Sequence, residues 1–193
     1  MDESRQKVSS KILEKYKEKF EILPGSINKH QAWPGGYKDH IEEVMNIAIL
    51  LYDALGKARE LSFTLKSALF ILFLHDLDKL ERYALDENSG FKRTGTYENL
   101  ADTLKETLSR DFEYVMTDEE YNALKYIHSE GEDYSPDKRI MGPLAAFVHC
   151  CDTISTRIWH DHGKNLKIWV KIGRVLARGH GVISESPRFK ELG

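Results

Sequence analysis

The chain has 193 residues, of which 41% are hydrophobic and 31% charged, with a formal net charge of -3. This length is typical of one globular domain with a substantial core, so we expect a single domain over residues 1–193. The acidic balance argues against a general electrostatic footprint for duplex nucleic acid. Adjacent cysteines, Cys150 and Cys151, form a poor disulfide framework and suit a reducing compartment.

Targeting signals are also missing from the sequence. The first residues, MDESR, lack the basic start and apolar run of a signal peptide. No apolar stretch is long enough to span a bilayer. We therefore expect a cytoplasmic protein that does not contact membranes.

The N-terminal third predicts two helices joined by a loop. Turn residues are sparse, and apolar residues recur at spacings of three and four, which predicts an all-α fold. A charged helix is expected over about 4–21, ended by Leu23-Pro24-Gly25. After the loop, Asp39 is the expected N-cap of a second helix, with one apolar face formed by Ile41, Val44, Ala48, Leu51 and Leu55. His40 then lies near the start of that helix.

The apolar run from Ala68 to Phe73, followed by Leu74, His75 and Asp76, is the most informative segment. Such a run predicts a buried helix. Two adjacent ionisable groups at the deep end of a core helix are costly to bury unless each has a strong partner, and one divalent metal ion serves both. The segment therefore predicts a metal site.

A loop is expected over about 86–96, where Gly and Asn occur. Further along, Thr117 and Glu120 match a capping box. The helix that they begin would carry Tyr121, Leu124 and His128 on one face. His128 is therefore expected to point inward.

The last predicted helix of the core begins near Pro143, a residue favoured in the first turn. On this helix His149 and Asp152 are three residues apart and can reach the same point. Beyond it, a tail from Lys164 onward is interpreted as an amphipathic helix. The tail carries a basic stripe of Lys164, Lys167, Lys171, Arg174 and Arg178.

Four segments thus supply inward histidines or aspartates, namely His40, the His75-Asp76 pair, His128, and the pair His149 and Asp152. Mixed imidazole and carboxylate ligands suit Zn, Mn, Fe, Co or Ni. A metal site with open coordination positions suits hydrolysis.

The order His40, His75-Asp76, Asp152 resembles the HD superfamily of metal-dependent phosphohydrolases, which are all-helical enzymes. Residues 35–44 (GGYKDHIEEV) are similar to the GGLLEHxxxV motif of one branch of stand-alone bacterial and phage proteins, in which a histidine also precedes the glycines. Three further segments match that branch in order: HDLDK at 75–79 followed by Tyr83, TDEE at 117–120 followed by His128, and HCCD at 149–152. The resemblance covers about 28–158 and implies a single helical-bundle domain with a metal site in its core.

The resemblance implies that His40, His75, Asp76 and Asp152 hold one divalent metal ion, which would be Mn, Co, Ni, Fe, Zn or Mg. A second ion, held with His128 and His149, is the alternative. The branch often carries a histidine shortly after the doublet, and residues 94–98 (TGTYE) contain none, which favours one ion. His149 could instead orient a ligand through a hydrogen bond.

Asp76, Lys79 and His128 are the catalytic candidates. Lys79 lies one helical turn from the doublet and would stabilise phosphate charge, or else it only complements the helix dipole. His128 would protonate the leaving oxygen or hold a second ion. Candidate substrate-binding residues are His30, Trp33, Lys79 and Arg93, although His30 could simply pack against Trp33.

We therefore expect a phosphohydrolase that cleaves a phosphoester of a small nucleotide, or of a related molecule, with a metal-activated water. One alternative is a 3′-5′ exonuclease that uses the basic tail on single-stranded RNA or DNA ends. Another is a metal-containing domain that senses a ligand or binds a partner without turnover. Small HD proteins often pair through helices, so a homo-oligomer is a further expectation.

Overall fold

A computed structural model describes residues 2–86, 90–95 and 99–158, all within a unit that spans residues 1–161. The described part is mostly helical, which confirms the expected helical class. Its helices are α1 (Glu3–Ile22), α2 (Gly36–Ala58), α3 (Leu65–Leu74), α4 (Lys79–Arg82), α5 (Leu100–Phe112), α6 (Asp118–Tyr126) and α7 (Pro143–Ile158). The predicted basic helix of the tail lies outside the described residues, and one domain over 1–193 stays a prediction.

Helix α3 lies at the centre of the packing, where it contacts α1, α2, α6 and α7. Thr64 caps it by accepting a hydrogen bond from the Ser67 amide at 3.1 Å. Its largest fully buried side chains are Phe70, Ile71, Leu72 and Leu74, and burial of each contributes about 1.5–3 kcal/mol. Because α3 is covered on several sides, the residues that follow its C-terminus start inside the core.

The capping-box prediction for α6 is confirmed. The Thr117 hydroxyl accepts from the Glu120 amide at 3.2 Å, and the Glu120 carboxylate accepts from the Thr117 amide at 2.9 Å. Helix α6 nevertheless ends at Tyr126, so His128 follows the helix and does not lie on it. Pro143 is the first residue of α7, as predicted.

The expected loop over 86–96 is in part a β-hairpin. Strands β1 (Tyr83–Asp86) and β2 (Gly90–Arg93) pair antiparallel, with Tyr83 opposite Arg93. Four-residue strands are too short to show a clear alternating pattern. The Gly and Asn residues in this stretch therefore favoured the prediction of a loop.

The loop before α2 folds back on the start of that helix. The Gly25 amide donates to the Gln31 carbonyl at 3.0 Å. The expected Asp39 cap is wrong, because Gly35 is the N-cap with a φ of 80°. A left-handed turn there suits glycine. Asp39 accepts instead from the Trp33 indole at 2.7 Å.

No helix in the described ranges is both long enough and apolar enough to cross a membrane.

Two glycines of α2 give a matched test of this loop. A Cβ at Gly36 would overlap the carbonyl oxygen of Gln31, whereas a Cβ at Gly56 meets nothing within 4 Å. Gly36→Ala should lower the free energy of unfolding by about 1–3 kcal/mol. Gly56→Ala should raise it by about 0.5–1 kcal/mol, because alanine loses less entropy in a helix. Urea unfolding of both variants measures the difference, and equal stability would contradict the placement of the loop.

Candidate metal centre

Three helices bring four ionisable side chains to one buried point. Helix α2 carries His40, the residues directly after α3 are His75 and Asp76, and α7 carries Asp152. We call these four residues the His–Asp cluster. Both histidines are fully buried, Asp76 is 2% exposed and Asp152 is 8% exposed.

Ring nitrogens and carboxylate oxygens face one another across the cluster. The two Nε2 atoms of His40 and His75 lie 3.2 Å apart. His40 Nε2 is 3.4 Å from Asp76 Oδ2 and 3.4 Å from Asp152 Oδ1. His75 Nε2 is 3.3 Å and 3.7 Å from the same two oxygens. Ligand atoms of His40, His75 and Asp76 all lie within 4.8 Å of one another and could hold one ion, and Asp152 Oδ1 approaches the same two ring nitrogens.

Hydrogen bonds on the far side of each ring fix the tautomers. His75 Nδ1 lies 2.7 Å from the Leu72 carbonyl oxygen, which can only accept, so Nδ1 carries the hydrogen. His40 Nδ1 lies 3.0 Å from the Ser155 hydroxyl, and that hydroxyl donates to the Glu43 carboxylate at 2.6 Å. Ser155 must then accept from His40. The two Nε2 atoms would then present lone pairs to each other unless a proton or a metal ion lies between them.

The pKa values of His75 and Asp76 also indicate that the His–Asp cluster requires positive charge. Burial by itself lowers the pKa of His75, but the carboxylates of Asp76 and Asp152 outweigh it and raise that pKa to about 10. Burial by itself raises the pKa of Asp76, yet the Lys79 ammonium and His75 hold it well below its usual range. Without a metal, a proton on His75 supplies the positive charge that the two carboxylates require.

Lys79 contacts the cluster directly. Its ammonium lies 2.5 Å from Asp76 Oδ2 and 2.6 Å from the Gly25 carbonyl oxygen. These acceptors take two of its three N–H donors. The side chain is 12% exposed, so Lys79 lies at the edge of the buried site and ties the loop before α2 to Asp76.

His128 lies on the solvent side of the cluster. Its Nδ1 is 3.4 Å from Asp152 Oδ2 and its Nε2 is 3.9 Å from Asp76 Oδ1. These are the carboxylate oxygens opposite to those that face His40 and His75. The His128 side chain is 51% exposed, so the expectation that it points inward from a helix is corrected. It reaches the two carboxylates from outside the core.

The hydrogen-bond partner of His149 is not the partner of Asp152. Its Nδ1 donates to the Ile127 carbonyl oxygen at 2.6 Å, which holds the backbone directly before His128. The ligand atoms that converge within 4.8 Å of one another belong to His40, His75 and Asp76, so coordination by His149 stays a prediction.

Of the candidate substrate residues, His30 lies nearest the cluster. Its ring centroid is 4.9 Å from that of His40. Burial, together with the charges of His40 and Lys79, lowers its pKa to about 4. Trp33 is partly buried against Asp39. Arg93 is exposed on β2, with its guanidinium 6.0 Å from the centre of the Tyr83 ring, so its contact with a substrate stays a prediction.

Glu43, Ser155 and Gln31 were not predicted from the sequence, although all three are buried beside His40. A signal for two of them was present. Glu43 follows His40 by three residues, and Ser155 follows Asp152 by three, so each shares a helix face with a cluster residue.

No protein-family model, curated protein or solved structure matches this chain.

Metal binding should depend on the cluster carboxylates. Co²⁺ or Mn²⁺ should raise the melting temperature of the wild type, because a ligand that binds only the folded state stabilises it. Asp76→Asn and Asp152→Asn should each remove that increase. Asp53→Asn, which alters an exposed ion pair with Lys57, should keep it, as such pairs contribute little. Thermal unfolding with and without metal gives the readout, and an undiminished shift in both cluster variants would refute the assignment.

Metal affinity should rise with pH. The pKa of His75 is about 10 in the metal-free protein, so His75 carries a proton at neutral pH, and the metal must displace that proton to coordinate. Binding near pH 7.5 should then release about one proton per ion. Calorimetric titrations in buffers with different ionisation enthalpies count the proton. An affinity that is constant between pH 6 and pH 9 would be incompatible with this displacement.

Proposed function

We propose that this protein is a metal-dependent phosphohydrolase that acts on a phosphoester of a small nucleotide or a related molecule. One observation carries the proposal: the imidazoles of His40 and His75 and the Asp76 carboxylate converge closely enough to hold one ion, with Asp152 beside them. The outer oxygens of both carboxylates face the half-exposed His128. A purely structural ion would have no need of an open side.

The donor set fits a divalent metal of the first transition row. Two nitrogen and two oxygen donors suit Mn, Fe, Co, Ni or Zn, and the choice among them depends on geometry and supply. When bound, such an ion lowers the pKa of its water to about 7 and neutralises a phosphate oxygen.

Asp76 and Asp152 would have two roles each. One oxygen of each carboxylate faces His40 and His75, while Asp76 Oδ1 and Asp152 Oδ2 face His128. The outward oxygens can accept hydrogen bonds from an attacking water and so aim it at phosphorus. The inward oxygens, Asp76 Oδ2 and Asp152 Oδ1, would stabilise the positive charge of a bound ion.

Lys79 and His128 would act on the phosphate. The third N–H of the Lys79 ammonium can donate to a phosphate oxygen, where it would stabilise the negative charge spread in the transition state. His128 is half exposed, and its Nδ1 lies 3.4 Å from Asp152 Oδ2. That contact orients the ring, so its Nε2 can deliver a proton to the leaving oxygen.

The substrate class rests on the resemblance of residues 28–158 to HD phosphohydrolases. The exonuclease alternative depends on basic residues between 164 and 178, which lie outside the described residues. We therefore make it an outcome of the experiment below, together with a domain that binds metal without turnover.

The test is a screen of phosphate release and nucleotide products on the purified protein. It uses Mn, Co, Ni, Zn and Mg against mono-, tri- and cyclic nucleotides and short single-stranded RNA. Turnover of a nucleotide that disappears in Asp76→Asn supports the proposal. Trimming of RNA alone would replace it with the nuclease, and metal binding without any turnover would replace it with a non-catalytic domain.

Two substitutions separate chemistry from metal binding. His128→Gln should lower kcat by about 10²–10⁴-fold, the usual contribution of a proton donor, and leave one-ion metal affinity close to that of the wild type. Lys79→Met should lower kcat and tighten metal binding, because it removes a positive charge 2.5 Å from Asp76 Oδ2. Steady-state kinetics with a metal titration of each variant distinguishes the two. Full activity in His128→Gln would exclude it as the proton donor.

A further inference from the structure

A second set of buried polar groups lies behind His40, on the side away from the His–Asp cluster. It consists of Glu43 on α2, Ser155 on α7 and Gln31 in the loop before α2. These residues are 8%, 0% and 2% exposed. We call them the support triad.

Each donor in the support triad has an acceptor. The Ser155 hydroxyl donates to Glu43 Oε2 at 2.6 Å, so its oxygen accepts from His40 Nδ1 at 3.0 Å. The Gln31 amide nitrogen donates to Glu43 Oε2 at 2.8 Å and to Ser155 Oγ at 3.3 Å. The Gln31 amide oxygen is then the atom that accepts from His30 Nδ1 at 2.7 Å. A flipped amide would place its oxygen against the carboxylate, so the assignment is determined by the contacts.

The support triad is costly for the fold. Burying a carboxylate such as that of Glu43 is unfavourable unless hydrogen bonds compensate it. Gln31 also has a φ of 39°, a region that residues other than glycine seldom occupy, at a cost on the order of 1–3 kcal/mol. A hydrophobic residue at position 43 would avoid the cost of the buried carboxylate. The arrangement is explained if its hydrogen bonds orient the imidazoles of His40 and His30, which lie at its two ends.

We infer that Glu43 is a positioning residue for two histidines of the active site. Through Ser155 it fixes His40 as the tautomer with hydrogen on Nδ1, which leaves Nε2 as the metal ligand. Through Gln31 it fixes the same tautomer of His30, whose ring lies 4.9 Å from that of His40, and leaves Nε2 of His30 as an acceptor beside the site. This inference rests on the metal centre of the proposed function.

Carboxylates commonly orient metal-bound histidines by direct contact, and loss of such a partner typically weakens metal binding 10- to 100-fold. Here a serine hydroxyl stands between the carboxylate and the imidazole. The Glu43 carboxylate can therefore also accept a hydrogen bond from Gln31 in the loop before α2. A group that only held the fold together would affect stability and leave the metal affinity unchanged.

The experiment measures the dissociation constant of Co²⁺ by competition with a chelator, together with the visible absorption spectrum of the Co²⁺-loaded protein. Ser155→Ala and Glu43→Gln should each bind Co²⁺ about 10- to 100-fold more weakly than the wild type and show an altered spectrum. Gln31→Leu should change the affinity less and release His30.

Two control variants remove the same chemical groups elsewhere in the core. Glu120 is a fully buried carboxylate that accepts from Arg5 and Tyr114, and Ser67 is a buried hydroxyl beside Thr64. Glu120→Gln and Ser67→Ala should lower the free energy of unfolding and leave the Co²⁺ dissociation constant unchanged. This contrast separates positioning from a general loss of stability.

Nitrogen NMR of the zinc-loaded wild type gives a readout that needs no substitution. His40 and His30 should both carry hydrogen on Nδ1, and Ser155→Ala should disturb His40. Hydrogen on Nε2 of His30 in the wild type, or unchanged Co²⁺ affinity in both Ser155→Ala and Glu43→Gln, would overturn the inference while the metal centre stands. A wild type that binds no divalent metal would overturn the proposed function and this inference together.

Discussion

The arrangement of this protein depends on one contact, the approach of the His40 and His75 Nε2 atoms to 3.2 Å inside the core. Both rings donate from Nδ1, so without a proton or a metal ion both Nε2 atoms would present lone pairs, and two carboxylates add negative charge around them. A low dielectric makes such an array expensive without a cation. A proton reduces the cost, and a divalent ion reduces it further.

The fold provides the surroundings that make this contact stable. Helix α3 is apolar on nearly all sides, so its packing contributes many small favourable van der Waals contacts. His75 follows directly at its buried end. Helices α2 and α7 approach from either side with His40 and Asp152. Lys79 balances part of the remaining charge on Asp76. The hydrophobic packing thus offsets the cost of four desolvated ionisable groups.

Much of this could be predicted from local sequence. The buried run before His75 and the capping box at Thr117 depend on spacing within one helix. The hairpin could not be predicted, because pairing of two four-residue strands depends on tertiary contacts as well as on local propensity. The support triad was missed for a related reason. Its hydrogen bonds join Gln31 to Ser155 across 124 positions, and spacing within one element carries no information on such a pair.

The position of His128 shows how an error of a few residues changes the interpretation of a site. A longer α6 would have buried the ring among the ligands, where it could only have been one more metal donor. Because α6 ends at Tyr126, the ring stands at the surface, and His149 holds the backbone before it through Ile127. On the buried side, the two carboxylates therefore face the imidazoles of His40 and His75, which hydrogen bonds hold in place. On the exposed side they face the imidazole of His128, which solvent can reach. Under the proposed function, that asymmetry would keep ion binding in the core and leave proton transfer to a side chain that solvent can reach.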